Sequence, residues 1–429
     1  VALRDPGLLE ACGRGGEDTG VEAMLATAAA LNRGHLPGMP GEAVTDVVHI
    51  GLGGSLLGPQ LLAEALPAHG PSAPRVHFLG SIDAHARAAL LPRLDPATTV
   101  AVTVSKSFTT EDTRLHSRRL RDWLVAALGD EPAAARQFAV TARREAALAD
   151  GFSEDRVLHL PEWVGGRYSA GSAVSLSAAA RVGPEAFREF LAGAADIDRH
   201  FRDAAPERNL PVLLAAAHLW HRCGRGLPGL GVYCYDARLR LLPAWLQQLS
   251  MESLGKSVTA DGEPAHLDCA PLLFGDTGTE AQHAVFQALH QGGRVVPVDF
   301  VAVVRPDHDD REAHQALLAQ LLAQATALAV GRGAEQVDGN PHRVLPGGRP
   351  STLLLLDALT PRALGALLAL YEHQVFVEAV ALGVNPFDQY GVEFGKEVAA
   401  ALRPALAGED AAAESRWPGL SALLRRLRG

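Results

Sequence analysis

A carboxylate and an amide lie four residues apart in a short segment: Glu252 follows Gln248 within residues 246–257. Pro243 suits the first turn of a helix and Gly255 suits its end, so we predict that both side chains share one helical face. A carboxylate held on a rigid helix beside an amide is suited to act as a positioned general base. Taken alone, a solvated Glu on a surface helix is the simpler interpretation, so the other motifs have to decide between the two.

Residues 105–110 combine four hydroxyl side chains with one ammonium group, between a predicted strand and a predicted helix. The polar side chains are Ser105, Lys106, Ser107, Thr109 and Thr110. Hydroxyls and a cation at the start of a helix can surround a phosphate group, because the unpaired N–H groups there also attract anions. An ordinary helix cap would explain one hydroxyl, but not four together with a lysine. We therefore predict a phosphate cradle, the name used below for residues 105–110.

A glycine-rich turn, residues 51–59, follows another predicted strand. Glycines let a backbone approach a ligand closely, and the helix that follows offers free N–H groups to an anion. The turn fits a dinucleotide fingerprint poorly, because Leu56 occupies the position of the third glycine. The nearest suitable acid, Asp83, also lies 32 residues after Gly51 rather than about 20. A backbone site beside a sugar or phosphate fits the turn better.

Three further polar side chains could contact a ligand, but each has an ordinary alternative. Arg167 follows paired glycines, which leave room for a ligand, although an Arg in a polar loop fits equally well. Gln389 and Lys396 are seven residues apart, near one predicted helical face, and a surface lysine is the default interpretation. Their local sequence alone therefore assigns them no role.

Another segment predicts a helix with a polar stripe. Thr277 and Glu280 match a capping box, so this helix should begin shortly before His283. His283, Gln287 and His290 then share one face. An isolated histidine on such a stripe is more often structural or solvated than catalytic.

The segment 307–310 and His314 place three carboxylates and two imidazoles close together in the sequence. This composition could suggest a metal site. A loop followed by a helix with an Asp cap explains it better, because no strong ligand spacing is present. We therefore predict no metal here.

Apolar, β-branched runs alternate with helical patterns, which predicts parallel sheets with helices on both faces. The predicted strands are 47–50, 76–79, 98–104, 137–141, 157–160, 229–235, 295–304 and 351–356, and the predicted helices include 56–66, 113–128, 280–290, 312–330 and 361–382. We therefore predict an α/β protein with an N-terminal helical segment, 1–42, and two similar domains, 43–180 and the larger 181–429. Ligands of open parallel sheets bind beyond the carboxyl ends of strands, which is where both the cradle and the glycine-rich turn fall.

The composition indicates an acidic globular protein. The 429 residues are 48% hydrophobic and 21% charged, with a net charge of −10. A negative chain is poorly suited to bind nucleic acid, and an anionic substrate would need local cations. The longest apolar stretch, 364–384, contains Glu372, His373, Gln374 and Glu378, so we expect no helix that crosses a membrane.

The cysteines give an expectation about the compartment. Cys12, Cys223, Cys234 and Cys269 are scattered and form no C-x-x-C pair. This spacing suits a reducing cytosol better than a disulfide framework or a zinc module. Val1 begins no signal-peptide pattern, so we expect a cytoplasmic protein.

Together, these motifs resemble the glucose-6-phosphate isomerase family, also called phosphoglucose isomerase, from about Val47 to Ala401. The matching segments, in family order, are Gly-Leu-Gly-Gly-Ser-Leu-Leu-Gly-Pro, Ser-Lys-Ser-Phe-Thr-Thr, Val-Gly-Gly-Arg-Tyr-Ser, Gln-Gln-x-x-Met-Glu-Ser-x-Gly-Lys, Gly-Thr-x-x-Gln-His-Ala and Phe-Asp-Gln-Tyr-Gly-Val-Glu-x-Gly-Lys. The resemblance implies two sugar-isomerase (SIS) domains and the reversible isomerisation of glucose 6-phosphate to fructose 6-phosphate, in glycolysis and gluconeogenesis. It further implies ring opening, a cis-enediolate, no metal or cofactor, and a cytoplasmic homodimer with a shared active site.

The resemblance also implies roles for individual residues. Glu252 would move a proton between C1 and C2 of the sugar, and Arg167 would stabilise the enediolate. His283 and Lys396 would assist ring opening, with His283 reaching the active site of the partner subunit. The implied contacts to phosphate are Ser105, Lys106, Ser107 and Thr110, and those to the sugar are Ser55, Gln248 and Gln389.

Two other functions stay open on the sequence alone. An NAD-dependent oxidoreductase would use the glycine-rich turn, and a SIS-domain regulator that binds sugar phosphates would need only the cradle. The regulator would have no need for the catalytic side chains named above together. The chain departs from the family pattern at Ser107, Ser250, Leu254 and Asp276, which border the implied site without replacing a catalytic group.

Overall fold

Two parallel β-sheets organise the chain in the computed structural model, which describes residues 3–34, 36, 39, 43–267, 270–408 and 418–428. The strands are β1 (Asp46–Ile50), β2 (Arg75–Leu79), β3 (Thr99–Val104), β4 (Gln137–Thr141), β5 (Val157–His159), β6 (Gly229–Tyr235), β7 (Leu272–Thr277), β8 (Val298–Val303) and β9 (Ser351–Leu356). The first sheet has the order β2-β1-β3-β4-β5 and the second has the order β7-β6-β8-β9. All pairings within both sheets are parallel, which confirms the predicted α/β class.

Helices cover both sheets. The first half of the chain contains α1 (Pro6–Ala11), α2 (Val21–Asn32), α3 (Gly54–Ala65), α4 (Ala84–Leu90), α5 (Glu111–Leu128), α6 (Asp130–Ala135), α7 (Arg144–Ala149), α8 (Leu176–Val182) and α9 (Pro184–Asp203). The second half contains α10 (Leu210–Leu219), α11 (Leu242–Gln247), α12 (Gly278–Gln282), α13 (Phe286–Gln291), α14 (Arg311–Val330), α15 (Pro361–Leu382), α16 (Glu393–Leu406) and α17 (Ser421–Leu427).

The central strands are buried along their whole length. Every residue of β1, β3 and β4 is buried, as expected for parallel strands with helices on both faces. Val47 pairs with Val100, and Val102 pairs with Phe138, so the carboxyl ends of these three strands meet at one edge of the sheet. The glycine-rich turn follows β1 and the cradle follows β3, so the sheet brings these two segments together.

One strand was not predicted. β7 lies at the edge of the second sheet, and its burial is uneven because part of it faces solvent. It also contains Gly275 and Asp276, residue types that are depleted in strands. Gly275 is required there, because a Cβ atom would lie only 1.9 Å from the carbonyl oxygen of Val232 on β6.

The predicted helix 280–290 is wrong as a single element. The structure contains two short helices, α12 and α13, separated by a turn at His283–Val285. The predicted capping box does not form either, since the Thr277 hydroxyl donates to the carboxylate of Glu280 and not to a backbone group. The polar stripe is consequently interrupted at His283.

The predicted domain boundaries stay a prediction. β1 to β5 lie within residues 43–180 and β6 to β9 lie within 181–429, which is compatible with them. Part of the predicted helical segment 1–42 lies outside the described residues, as does Cys269. Cys12, Cys223 and Cys234 are free thiols.

The helix α15 packs in the interior beside α9 and α10. Gly365 of α15 allows close contact, because a Cβ atom there would lie 1.9 Å from the carbonyl oxygen of Phe190 on α9. In the described part of the chain, α15 alone is long and apolar enough to cross a membrane, and 67% of its apolar window is buried inside the protein. It is a core helix by these measures.

A buried charge cluster joins α10, β8 and α15. His218 of α10 lies 3.1 Å from Asp299 of β8 and 3.2 Å from Glu378 of α15. Arg222 donates to the second oxygen of Glu378 over 2.6 Å, so two cations and two carboxylates face one another. Burial by itself lowers the pKa of His218, but the interactions with Asp299 and Glu378 outweigh burial and raise the pKa to about 10.

We expect this cluster to make stability depend on pH above neutrality. The folded-state pKa of His218 exceeds its unfolded value of about 6.5, so its contribution is complete below about pH 6.5 and is lost as the pH rises towards 10. The free energy of unfolding should fall by about 1.4 kcal/mol for each pH unit between about pH 7 and 8.5. Urea unfolding at several pH values measures this, and a flat profile would mean that His218 is neutral when folded. His218→Gln should flatten the profile, whereas His221→Gln should retain it.

Candidate active site

A cleft of about 480 Å³ lies at the carboxyl edge of the first sheet and collects nearly all of the predicted site residues. The predicted residues that line it are Ser55, Ser105, Lys106, Ser107, Thr110, Arg167, Gln248, Glu252, Gln389 and Lys396. His283 is the exception: it is exposed and lines no part of this cleft. The size suits a small molecule, and the cleft adjoins a second, larger one of about 1350 Å³.

Glu252 ends a π-helical turn, Gln248–Glu252, which continues α11. Its carboxylate accepts a hydrogen bond from Gln248 Nε2 over 2.8 Å and lies 3.4 Å from Arg167 Nη1. The Glu252 side chain is 21% exposed, so the carboxylate contacts both the open cleft and a buried cation. The prediction that Gln248 and Glu252 lie side by side is confirmed, whereas the π-turn, a feature frequent at functional sites, was not predicted.

Arg167 is buried, and protein groups fix its orientation. Its Nε donates to Ser253 Oγ over 2.7 Å, and its Nη1 donates to Gln389 Oε1 over 3.0 Å. Its Nη2 donates to the carbonyl oxygens of Pro386 and Asp388. A guanidinium held at so many points presents its charge to Glu252 and the cleft in a fixed direction.

The glycine-rich turn packs directly against the loop that carries Arg167. A Cβ atom on Gly54 would lie 2.1 Å from the carbonyl carbon of Gly166, so only glycine allows this contact. Gly53 has a positive φ of 57°, and a Cβ atom there would lie 2.9 Å from Gln248 Nε2. These two glycines therefore bring α3, the Arg167 loop and the amide together.

His49 holds the start of α3 against the sheet. It is fully buried on β1, with Nε2 2.7 Å from the carbonyl oxygen of Ser55 and Nδ1 3.0 Å from Ser177 Oγ. Burial lowers the pKa of His49 to about 4, although its bond to Ser55 raises it. The imidazole is therefore neutral at neutral pH and acts as a hydrogen-bonding support beneath Ser55.

The cradle turns sharply between β3 and α5. Ser105 Oγ accepts from the backbone N–H of Phe108 over 3.1 Å, and Phe108 has a φ of 55°, which is uncommon for a residue with a side chain. The ring of Phe108 is buried edge-on against Phe152, which stabilises this backbone. Thr110 lines the cleft and precedes α5, and its side chain forms no cap bond, so it leaves the first N–H groups of the helix uncapped.

Lys106 is partly buried within the cradle. Burial lowers its pKa, Glu162 raises it and Arg143 lowers it. The carbonyl oxygen of Lys106 accepts from Ala142 N and from Thr141 Oγ1, both over 3.1 Å. These two bonds tie the cradle to the end of β4.

Gln389 and Lys396 reach the cleft from two different elements and not from one helix. Gln389 has an extended φ of −156° and precedes a short 3₁₀ turn, while Lys396 lies in α16. The expectation that they share one helical face is therefore wrong, although both line the cleft. Gln389 is placed by its bond to Arg167 rather than by helical spacing.

Comparison with known proteins identifies the relatives of this chain. A family model described as phosphoglucose isomerase matches residues 18–418. A glucose-6-phosphate isomerase of Stenotrophomonas maltophilia is 50% identical over 387 residues, which cover 90% of this chain and 74% of the relative. One from Xylella fastidiosa is 46% identical, covering 96% and 80% of the two chains. The crystal structure of a glucose-6-phosphate isomerase from Chlamydia trachomatis superimposes with a TM-score of 0.82 at 32% identity, over 94% of this chain and 76% of the other.

The chain belongs to the phosphoglucose isomerase family. The resemblance inferred from the sequence motifs is thereby confirmed, as is the pair of parallel sheets with flanking helices.

In this family member, several residues of the site were not predicted. Ser253 bonds to both Arg167 and the Tyr168 hydroxyl, and Lys256 lies 2.8 Å from an oxygen of the Asp388 carboxylate. Ser253 and Lys256 both lie in the conspicuous segment that contains Glu252, which could have signalled them. His49 gave no such signal, since an isolated histidine within an apolar strand resembles any other core residue.

The segment 307–310 forms a loop before α14, as expected. Asp310 caps the helix by accepting from Ala313 N over 3.0 Å, and Asp307 forms an ion pair with Arg238. His314 bonds to the carbonyl oxygen of Val304. Within the described residues, no group of three or more His, Cys, Asp or Glu side chains is arranged to hold a metal ion.

We expect Gly54→Ala to displace the Arg167 loop. The added methyl group would overlap backbone atoms of Gly166, which cannot move aside as a flexible side chain would. Overpacking of this kind costs about 1–3 kcal/mol of stability, and a shift of about 1 Å in a catalytic group reduces turnover by about 100-fold. Steady-state kinetics and thermal unfolding measure the two effects. Gly293→Ala is the control, because a Cβ atom there meets nothing within 4 Å, and equal effects in both variants would refute the steric argument.

Proposed function

We propose that this chain interconverts glucose 6-phosphate and fructose 6-phosphate through ring opening and a cis-enediolate. The observation that carries the proposal is the layout of the cleft. A carboxylate and a buried guanidinium, Glu252 and Arg167, lie in the same cleft as the phosphate cradle. This layout fits a sugar whose phosphate is bound away from the reacting carbons.

Glu252 is the base in this proposal. In the open-chain aldose its carboxylate takes the proton from C2, and the resulting acid returns a proton to C1 while the hydroxyl proton of O2 moves to O1, so the ketose forms without net proton change. The hydrogen bond from Gln248 Nε2 fixes the carboxylate on its helix. The Gln248 side chain lines the same cleft, so the amide lies beside the bound sugar in this proposal.

Arg167 stabilises the enediolate. The intermediate carries a negative charge on oxygen, which the guanidinium attracts from a fixed position with little water nearby. Because protein contacts already orient Arg167, little reorganisation is required when the charge develops. Removal of one such donor from an active site typically costs about 100- to 1000-fold in turnover.

The cradle binds the phosphate, and Lys396 takes part in ring opening. Ser107, Thr110, Lys106 and the first N–H groups of α5 supply donors to a dianion at a helix N-terminus. Lys396 projects into the cleft from α16, from where its ammonium group can exchange a proton with the ring oxygen of the sugar.

His283 supports a shared active site. It is exposed at the end of α12 and lines no part of the cleft in its own chain. We propose that a homodimer brings the partner's His283 into each cleft, where it assists ring opening together with Lys396. We also propose a cytoplasmic location, as expected for an enzyme of glycolysis and gluconeogenesis.

Neither alternative function accounts for the cleft as well. A regulator would bind the phosphate without any need for Glu252 beside Arg167. A dinucleotide enzyme would need the third glycine of the fingerprint, where this chain has Leu56. The isomerase therefore explains the largest number of positioned groups.

We expect Glu252→Gln to abolish isomerisation and to leave binding of the sugar phosphate largely intact. The amide keeps the shape of the carboxylate but cannot accept the proton, so the turnover number should fall by at least about 1000-fold. A coupled assay that starts from fructose 6-phosphate measures turnover, and calorimetry measures binding. Turnover in the wild type with none in the variant supports the proposal. Near-normal turnover in the variant would remove Glu252 from the role of base.

The shared site is tested by mixing two inactive variants. Glu252→Ala and His283→Ala homodimers should each be nearly inactive, but a mixed dimer carries both lesions in one site and leaves the other intact. Refolding the two chains together should therefore recover about a quarter of wild-type activity, since half of the dimers are mixed and each has one intact site. Mass measurement confirms the mixed dimers. If they form and no activity returns, each chain uses its own His283.

A further inference from the structure

A second cation lies on the rim of the cradle. Arg143 follows β4 and lines the same cleft as Lys106 and the cradle hydroxyls. Its Nη1 lies 2.8 Å from Oε1 of Glu162, which lines the cleft as well. Neither residue belongs to the motifs that carry the family resemblance, and the reaction described above assigns them no role.

The backbone holds Arg143 in register with the cradle. Thr141 Oγ1 accepts from Arg143 N over 2.9 Å and donates to the carbonyl oxygen of Lys106. Ala142 N donates to that same carbonyl oxygen. Arg143 and Lys106 therefore start from neighbouring points on the edge of the sheet, where β3 and β4 end.

A bound phosphate would change the electrostatic interactions among Lys106, Arg143 and Glu162. Glu162 offsets the repulsion between the two cations, since it raises the pKa of Lys106 whereas Arg143 lowers it. A phosphate dianion supplies two negative charges, which both cations can contact, and the carboxylate of Glu162 then repels the ligand. The side chains of Arg143 and Glu162 are 61% and 63% exposed, so their ion pair is weak and can exchange partners readily.

We propose that Arg143 is a second phosphate-binding cation and that Glu162 is its counter-ion, which the phosphate of the substrate replaces on binding. This inference rests on the proposed function and adds a residue that sets affinity for the phosphorylated substrate. The need for it follows from the net charge of −10, because such a chain repels a dianion unless cations are concentrated at the cleft.

The neighbouring Arg144 provides a matched control. It has the same charge and is also exposed, but it forms an ion pair with Glu154 and does not line the cleft. Arg143→Gln and Arg144→Gln remove the same charge one residue apart, so a general effect of net charge would appear in both. An effect of direct phosphate contact would appear only at Arg143.

The experiment is steady-state kinetics with fructose 6-phosphate, with inorganic phosphate as a competing inhibitor. Arg143→Gln should raise both KM and the inhibition constant of phosphate by about five- to tenfold, while kcat stays unchanged. Its kcat/KM should also depend less steeply on salt. Arg144→Gln should change each constant by less than about twofold.

Glu162 is tested in two backgrounds. Glu162→Gln should lower KM by about two- to threefold in the wild type, because the released Arg143 no longer has a competing partner, and should have a much smaller effect in Arg143→Gln. Equal KM values in the two Arg variants, or a loss confined to kcat, would overturn the role of Arg143. An equal effect of Glu162→Gln in both backgrounds would overturn the role of Glu162. Absence of turnover in the wild type would instead refute the proposed function.

Discussion

The candidate active site depends on one buried guanidinium. Arg167 is 3% exposed and contacts Ser253, Gln389, the backbone at Pro386 and Asp388, and the carboxylate of Glu252. These groups come from different parts of the chain, so this single side chain joins the loop after the first sheet, the helical segment that carries Glu252 and the C-terminal segment.

The rest of the cleft follows from parallel strands that end at one edge. β1 and β3 are adjacent and in register, so the segments that follow them must lie close together. Gly54 then allows two backbones to touch, and the His49 side chain bonds to the carbonyl oxygen of Ser55 in the turn. Local backbone geometry and burial therefore set the distances that the chemistry needs.

Much of the site could be predicted because its chemistry is concentrated in short segments. The four-residue spacing of Gln248 and Glu252 and the run of hydroxyls in the cradle give strong local signals. The class of fold was equally accessible, because strands buried on both faces appear as continuous apolar runs. What failed were elements determined by distant contacts: β7 is held by pairing with β6, and Gln389 is placed by Arg167. His49 and Arg143 were missed because their surroundings exist only after the chain has folded.

The contacts of Arg167 span 86 residues to Ser253 and 222 residues to Gln389. During synthesis the loop after the first sheet is complete long before residues 386–396 have left the ribosome. The guanidinium then has no carbonyl oxygens to accept its Nη2 protons, and Lys396 is absent from the cleft. Domains usually fold in order from the N-terminus, so the first sheet can form early while the complete cleft cannot. The contacts that orient Arg167 can therefore form only after the chain has been made as far as residues 386–389.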